Sequence, residues 1–514
     1  MFEKNGTTMQ LNEILSAKQR STPAILFEDA ILTYGDLDDM SNRFANLYRS
    51  LGIGPDQRVS LLLGNDPLII GAYFGAFKTG VIANPLHDRL APAEISYIID
   101  HAGSGLLITS EHYVSKVAEA LGTLASPPRV LCFGDTSGLE CESRELLDEQ
   151  VASAPDGYTP SAEDGALLLY TSGTTGRPKG VLLTHGNVRT GAEAVQARFK
   201  LKPTDRTLCV MPMSHTNALM FSVMPFLMTG ASTALCRRFS ASNYWSQCRR
   251  YQVNSASISP AILSILIETY DGEDLSGIDL DFVMIASAPT PISMAMKFEA
   301  LLGKRLLLES YGLTETTAVN VSNLVDGPRK YGSIGVPVPP DQVVVLNNMG
   351  KPVSIGEVGE IAIKGPSVMK GYFRDDAETA AAMQNGYLMS GDLARVDEDG
   401  FIFIVGRKKE IIVRGGENVS PLEVEHVLAR HPAVSEAAVV GVPDHMYGEA
   451  ICACVVRRSE VTEMELIEFC EGQLASFKVP QTIRFIDALP RNAIGKFIRK
   501  ALVPYFTEQQ RVKA

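Results

Sequence analysis

Leu167-Leu-Leu-Tyr-Thr-Ser-Gly-Thr-Thr-Gly-Arg-Pro-Lys-Gly-Val-Leu-Leu183 runs from one apolar segment to another through a turn crowded with glycine and hydroxyl side chains. Gly173, Gly176 and Gly180 let a backbone come close to an anion, because no Cβ stands in the way. Thr171, Ser172, Thr174 and Thr175 supply hydroxyls, and Lys179 supplies a cation, so phosphate oxygens are the chemistry that fits. This is not a Walker A loop. Gly-Lys-Ser/Thr is missing, and a strand-like run rather than a helix follows. A plain polar hairpin is the competing reading, and so many phosphate-compatible donors in one turn weigh against it.

Outward from this hairpin, apolar runs of strand length alternate with helical patterns, the mark of α/β architecture. Residues 59–63, 105–109 and 130–133 read as buried strands. Residues 37–51 read as an amphipathic helix with Leu37, Met40, Phe44, Leu47 and Leu51 on one face. From about residue 336, short strands between glycine turns predict a β-rich subdomain. The C-terminal part reads as a small α+β unit. There Ser420-Pro-Leu-Glu423 has the pattern of a capping box with proline at the first helical position, predicting a helix to about residue 430. Thr462 to Glu465 repeats that start signal for a helix to about residue 474, and apolar strands are expected at 437–442 and 451–456. The expected fold class is therefore α/β, with a large N-terminal α/β domain over 1–405 that includes the β-rich subdomain. A charged connector at 406–410 leads to a small α+β C-terminal domain over 411–514. Such a connector can be a hinge or a solvated turn, and the pattern alone does not choose.

The chain has 514 residues, 45% hydrophobic and 21% charged, with a formal net charge of −12. That composition supports a large buried core and excludes disorder, collagen and coiled coil. The acidic balance argues against a nucleic-acid partner, although a local basic face can still hold an anionic ligand. No apolar run reaches the roughly 18 residues of a membrane span, and the first ten residues lack the apolar core of a signal peptide. Lys78 interrupts the most hydrophobic early stretch, 68–86. Eight cysteines lie scattered without a C-x-x-C pair, so disulfides and zinc are not expected and a reducing cytoplasm is. Oligomeric state leaves no mark in the sequence.

The segment 171–180 resembles the signature of the adenylate-forming superfamily: acyl-CoA synthetases, adenylation domains of peptide synthetases and beetle luciferases. The likeness covers essentially the whole chain. Thr33-Tyr-Gly-Asp-Leu37 and residues 59–65 match the family's opening. Tyr311-Gly-Leu-Thr-Glu315, Ser390-Gly-Asp392, Gly406-Arg-Lys-Lys409, Gly415-Gly-Glu-Asn-Val-Ser-Pro421 and Pro490-Arg-Asn-Ala-Ile-Gly-Lys496 follow in family order. The 414–420 run and the C-terminal segment look most like bacterial carnitine/crotonobetaine-CoA ligases and medium-chain acyl-CoA ligases.

The resemblance implies a two-step reaction using ATP, Mg²⁺ and CoA. A carboxylate attacks the α-phosphorus of ATP to give an acyl-adenylate and pyrophosphate, and a thiol then displaces AMP. Charge develops on phosphate oxygens, so catalysis rests on positioning and cationic stabilisation. By resemblance, Tyr311 with Gly312 meets adenine, Thr314 contacts phosphate, Glu315 binds Mg²⁺, and Asp392 accepts the ribose hydroxyls with help from Arg407. Lys496 is the expected adenylation lysine, bridging carboxylate and α-phosphate; read alone, it is one more solvated cation in a basic run. The resemblance also implies a small C-terminal domain that rotates between half-reactions about Lys409. It places Gly415 and Gly416 along a pantetheine tunnel, with Phe477 and Lys478 at the nucleotide end of CoA. The other readings of these residues are a turn at 415–416 and a core aromatic at 477.

The nearest alternative is a stand-alone enzyme that loads an acyl group onto a carrier protein in trans. Amino-acid adenylation fits less well, since His215 stands where its members place an Asp for the amine. A luciferase-like oxygenase has no positive support, and Lys179, Glu315 and Lys496 argue against an inactive ATP-binding scaffold. The expected acyl pocket comprises His215, Asn217, Ser287, Ala288 and Ser310. Asn217-Ala218 and Ala286-Ser287 put side chains where glycine is usual in the family, which predicts a narrow pocket and a compact acid. These segments carry no charged side chain, which weighs against a dicarboxylate, and no aromatic cage for a quaternary ammonium. Met220, Met224 and Met228 share a helical face, best read as core packing.

Overall fold

The computed structural model describes residues 9–155, 157–171, 177–317, 319–491 and 498–507. Of the sites expected above, Ser172, Gly173, Thr174, Thr175, Gly176 and Lys496 lie outside the described residues. Among the described residues, strands form four sheets of nine, seven, five and five strands.

The seven-stranded sheet grows from the strands that flank the glycine- and hydroxyl-rich turn. Gly165–Thr171 pairs antiparallel with Lys179–Thr184, bringing Thr171 opposite Lys179. Parallel strands Ile82–Pro85, Arg58–Leu62, Ser104–Ser110 and Arg129–Phe133 extend it on one side. On the other side, Gly371–Tyr372 joins as a short edge. The nine-stranded sheet has a mostly parallel centre of Ser232–Leu235, Arg206–Cys209, Ser255–Ile258, Phe282–Ile285 and Leu307–Tyr311. Its strand Leu307–Tyr311 delivers Tyr311 at its C-terminal end, where α/β sheets place their ligands.

Between these sheets, helices Tyr34–Ser50 and Pro67–Phe77 pack closely. Thr33 and Asp36 form a complete capping box at the start of the first. The contact needs glycine. A Cβ at Gly75 would sit 2.6 Å from the Phe44 Cβ and 3.0 Å from the Ala45 backbone N. Lys78, just past the second helix, is buried with its ammonium 2.6 Å from Asp38 Oδ1, 2.7 Å from Ser41 Oγ and 2.6 Å from Asn42 Oδ1. The charge that breaks the apolar run is therefore a paired core group. Met220, Met224 and Met228 lie buried in the main core, as expected. The segment carrying them is a π-helical turn, Ala218–Val223, running into Met224–Thr229.

One five-stranded sheet is the β-rich part: Gln342–Leu346, Val358–Lys364, Tyr387–Val396, Met383–Gln384 and Ile402–Arg407. The other is C-terminal and has its own core under Pro421–Leu428 and Glu463–Glu471. A 3₁₀ turn, Lys408–Glu410, separates the two sheets. The capping box expected at Ser420 does not form. The Ser420 hydroxyl donates to the carbonyl of Val405, and Glu423 receives Lys478. A tertiary partner has outbid the local one, and the helix ends at Leu428 rather than near residue 430. The box at Thr462 and Glu465 does form.

Candidate functional site

The end of Leu307–Tyr311 meets the β-rich sheet through three side chains. The Tyr311 hydroxyl donates to Asp392 Oδ2 at 2.6 Å, and Arg407 Nε lies 2.7 Å from Asp392 Oδ1. Asp392 and Arg407 face each other across paired strands. The Asp392 side chain is only 7% exposed. Burial, reinforced by that carboxylate, pushes the Tyr311 phenol well above its ordinary range, so it stays a donor. A carboxylate oxygen can accept more than one hydrogen bond, so Asp392 is a group of the kind that accepts vicinal hydroxyls.

After Tyr311 the chain makes a 3₁₀ turn, Thr314–Thr316. Thr314 Oγ1 lies 3.4 Å from Thr216 Oγ1, joining this turn to the His215 loop. Glu315 Oε1 accepts the Tyr372 hydroxyl at 2.9 Å. Lys179 Nζ sits 5.4 Å from the Tyr372 ring centroid and pairs with Glu378. A chain of contacts thus links the expected acyl loop to Glu315 and on to the phosphate hairpin. Tyr372 and Glu378 are residues that sequence reasoning missed. No local pattern marks them, and Glu378 is 199 positions from the lysine it meets.

On the acyl side, Asn217 N–H donates to His215 Nδ1 at 3.1 Å, which leaves Nε2 carrying the proton in the neutral ring. The Ser257 hydroxyl donates to Asn217 Oδ1 at 2.9 Å. Asn217 Nδ2 is buried with no partner among the described residues. Ser310 exchanges a hydrogen bond with Ser322 at 2.8 Å. Ser287 and Ala288 are exposed, and Ser287 has φ +81°, a left-handed conformation that favours glycine. A serine held there stores strain of a kind that collects at functional loops.

That loop is held from behind by Glu309, another residue that sequence reasoning passed over. Thr290 N–H donates to Glu309 Oε1 at 3.2 Å. Glu309 faces a cavity of about 20 Å³, room for one water, which Arg305, Arg329, Lys330 and Tyr331 also line. Burial pushes the Glu309 carboxyl up to about 7. Between 4.5 and 7 the native state therefore holds a proton that the unfolded chain has lost, and stability falls as pH rises through that window. The expected cost at pH 8 is about 3 kcal/mol at most. Urea unfolding at pH 5 and pH 8 should show Glu309→Gln with a flatter pH dependence than wild type; an unaltered slope refutes this.

In the C-terminal sheet, Gly415 and Gly416 form the two-residue turn between Ile412–Arg414 and Glu417–Val419, with φ +61° and +89°. Two positive φ values are what such a hairpin turn requires, so the turn alone accounts for both glycines. Phe477 packs against the C-terminal core, and Lys478 Nζ reaches Glu423 at 2.7 and 2.8 Å. Lys409 lies on the 3₁₀ turn between the sheets.

Residues 13–373 match the sequence model of the AMP-binding enzyme family, and residues 423–496 match its C-terminal domain. The chain belongs to the AMP-binding enzyme family. It is an adenylate-forming enzyme of the AMP-forming acid–thiol ligase class, which uses ATP, Mg²⁺ and CoA. It is 36% identical over 503 residues to a sulfoacetate–CoA ligase of Cupriavidus necator, covering 97% of each chain. A crotonobetaine/carnitine–CoA ligase of Salmonella paratyphi A is 34% identical over 483 residues, covering 91% of this chain and 92% of that one. The ATP-bound crystal structure of MatB from Rhodopseudomonas palustris superposes with a TM-score of 0.89 at 27% identity, covering 98% of this chain and all of that one.

The residues of this AMP-binding enzyme suit its cofactors. No group of three or more His, Cys, Asp or Glu side chains is placed to cage a metal among the described residues. Mg²⁺ beside a nucleotide needs only one or two carboxylates, with phosphate and water as its other ligands, and Glu315 meets that requirement. Also among the described residues, no helix is long and apolar enough to cross a membrane.

Proposed function

We propose that this AMP-binding enzyme is an ATP-dependent acyl-CoA synthetase for a compact carboxylic acid. A substrate carboxylate oxygen bonds to the α-phosphorus as pyrophosphate leaves, and the CoA thiol then bonds to the acyl carbon as AMP leaves. The observation that carries this reading is the Tyr311–Asp392–Arg407 contact, a buried carboxylate assembled from two sheets and suited to ribose hydroxyls. Around it, Thr171, Lys179 and the intervening Ser172, Gly173, Thr174, Thr175 and Gly176 take the phosphates. Tyr311 and Gly312 take adenine, Thr314 contacts phosphate, and Glu315 holds Mg²⁺. Lys496 supplies the charge that bridges carboxylate and α-phosphate.

The acid lies among His215, Asn217, Ser287, Ala288 and Ser310. Buried Asn217 Nδ2 favours a small acid that brings a hydrogen-bond acceptor of its own. The two relatives are named for a sulfonate and for quaternary ammonium compounds, so descent alone does not choose the acid. Their names support CoA as the acceptor over a carrier protein. Gly415, Gly416, Phe477 and Lys478 are its candidate contacts. The 3₁₀ turn between sheets supports a division into 1–405, a hinge at 406–410 about Lys409, and a mobile 411–514. Eight cysteines, all free, suit a reducing cytoplasm.

The test is mass spectrometry of the purified protein with ATP, Mg²⁺, CoA and a panel of short, branched, medium-chain, aromatic and betaine acids. A CoA thioester forming together with AMP is the expected result. Acyl-adenylate without thioester would move the acceptor to a carrier protein, and the formation of neither product would overturn the proposal. Lys496→Ala should lower adenylation about a hundred-fold or more while transfer from supplied acyl-adenylate stays within a few-fold. Equal loss of both half-reactions would remove Lys496 from its assigned role.

A further inference from the structure

Lys179 does not wait in water for a phosphate. Its side chain is 16% exposed and already engaged by Glu378, whose own side chain is 35% exposed. Glu378 is held in place by the chain around it. Gly371 and Tyr372 pair with Leu182 and Val181 of the hairpin strand that begins at Lys179. The Tyr372 N–H donates to Thr379 Oγ1 at 2.8 Å, and Thr379 Oγ1 donates to the Asp375 carbonyl at 2.9 Å. The Asp375 side chain caps the helix Asp376–Ala382 by accepting from Glu378 N–H at 2.9 Å. The same strap reaches Glu315 twice, through the Tyr372 hydroxyl and through Met369 N–H, which donates to the Glu315 carbonyl at 2.8 Å. One short segment thus touches both the cation assigned to phosphate and the carboxylate assigned to Mg²⁺.

We propose that Glu378 is a displaceable counter-ion that occupies Lys179 until the β- and γ-phosphates of ATP take it, and that recaptures Lys179 as pyrophosphate leaves. This rests on the reading of Lys179 as a phosphate ligand. A triphosphate brings several negative charges against one carboxylate, so it is the stronger partner for the ammonium. Glu378 is exposed enough to rehydrate when Lys179 leaves it, which keeps the exchange reversible; a fully buried pair would not part so easily. Tyr372 keeps its ring beside the lysine throughout and holds Glu315 in register.

The test is equilibrium binding of MgATP, inorganic pyrophosphate and AMP to the full-length protein, in wild type and in Glu378→Gln, Glu378→Asp, Lys179→Ala and the Lys179→Ala/Glu378→Gln double variant. Removing the competing carboxylate should tighten MgATP and pyrophosphate about five-fold, with AMP, which lacks both outer phosphates, unchanged. Glu378→Asp should behave as wild type. In the Lys179→Ala background Glu378→Gln should do nothing, since no ammonium remains to contest. If Glu378→Gln weakens all three ligands together, or leaves all three unchanged, Glu378 is a structural strut and the inference falls while the adenylation reading stands. If wild type binds neither MgATP nor AMP, both fall.

Discussion

Asp392→Ala is expected to lower kcat/KM for ATP by about a hundred-fold, because a carboxylate that would accept both ribose hydroxyls is worth two charged hydrogen bonds. The loss should fall mainly on KM, since the ribose does not change charge as the α-phosphate reacts. In the free protein the same substitution strips the Tyr311 hydroxyl and Arg407 of their shared partner. Asp392→Asn should therefore recover shape without function: it restores one acceptor oxygen but presents an amide where Arg407 needs an anion. Acid-dependent exchange of labelled pyrophosphate into ATP, followed against ATP concentration, reads this directly. A change below about three-fold in a variant that remains folded would remove Asp392 from the nucleotide site, since even one charged hydrogen bond is worth more.

The second large effect concerns stability. Lys78 and Asp38 have side chains 7% and 10% exposed, and burial lowers the Lys78 pKa even with that partner present. Asp38→Ala would leave the ammonium with only Ser41 and Asn42, and an uncompensated charge in such a site costs about 3–5 kcal/mol. Replacing both residues, as Asp38→Leu with Lys78→Met, should recover most of that, because no buried charge is then left without a partner. The urea midpoint of the N-terminal transition, compared at unchanged slope, measures both variants. The account fails if Asp38→Ala costs under 1 kcal/mol or if the double variant is no better than the single.

What could be read in advance was what the chain encodes over short distances. The strands on either side of the 171–180 turn, the helix read over 37–51 and the box at Thr462 each depend on neighbours a few positions apart, and each forms. Ser420 has the same local pattern as Thr462, but its hydroxyl finds Val405 once the sheets assemble, and no local rule foresees that. Lys78 looked like an interruption because its partner Asp38 is brought to it only by helix packing. Tyr372, Glu378 and Glu309 escaped for a related reason: their importance lies in which side chain they meet, and those meetings are set by topology. The family motifs named the expected nucleotide and acyl residues because descent preserves sequence where physics alone would leave a surface loop. Ser287 shows the converse, since its left-handed backbone is invisible in a serine codon and apparent only in the folded chain.

The junction of Tyr311 with Asp392 also bears on how this protein is made. A nascent chain leaves the ribosome N-terminus first, and its units fold as they emerge. A chain that has emerged only as far as residue 386 already possesses the strand that ends in Tyr311 and the hairpin strand that begins at Lys179, yet lacks the strand Tyr387–Val396 that carries Asp392. On the proposed role of Asp392 at the ribose, ATP acts as a folding ligand only late in synthesis. Until then the growing polypeptide must rely on its own packing, with no nucleotide to steady it.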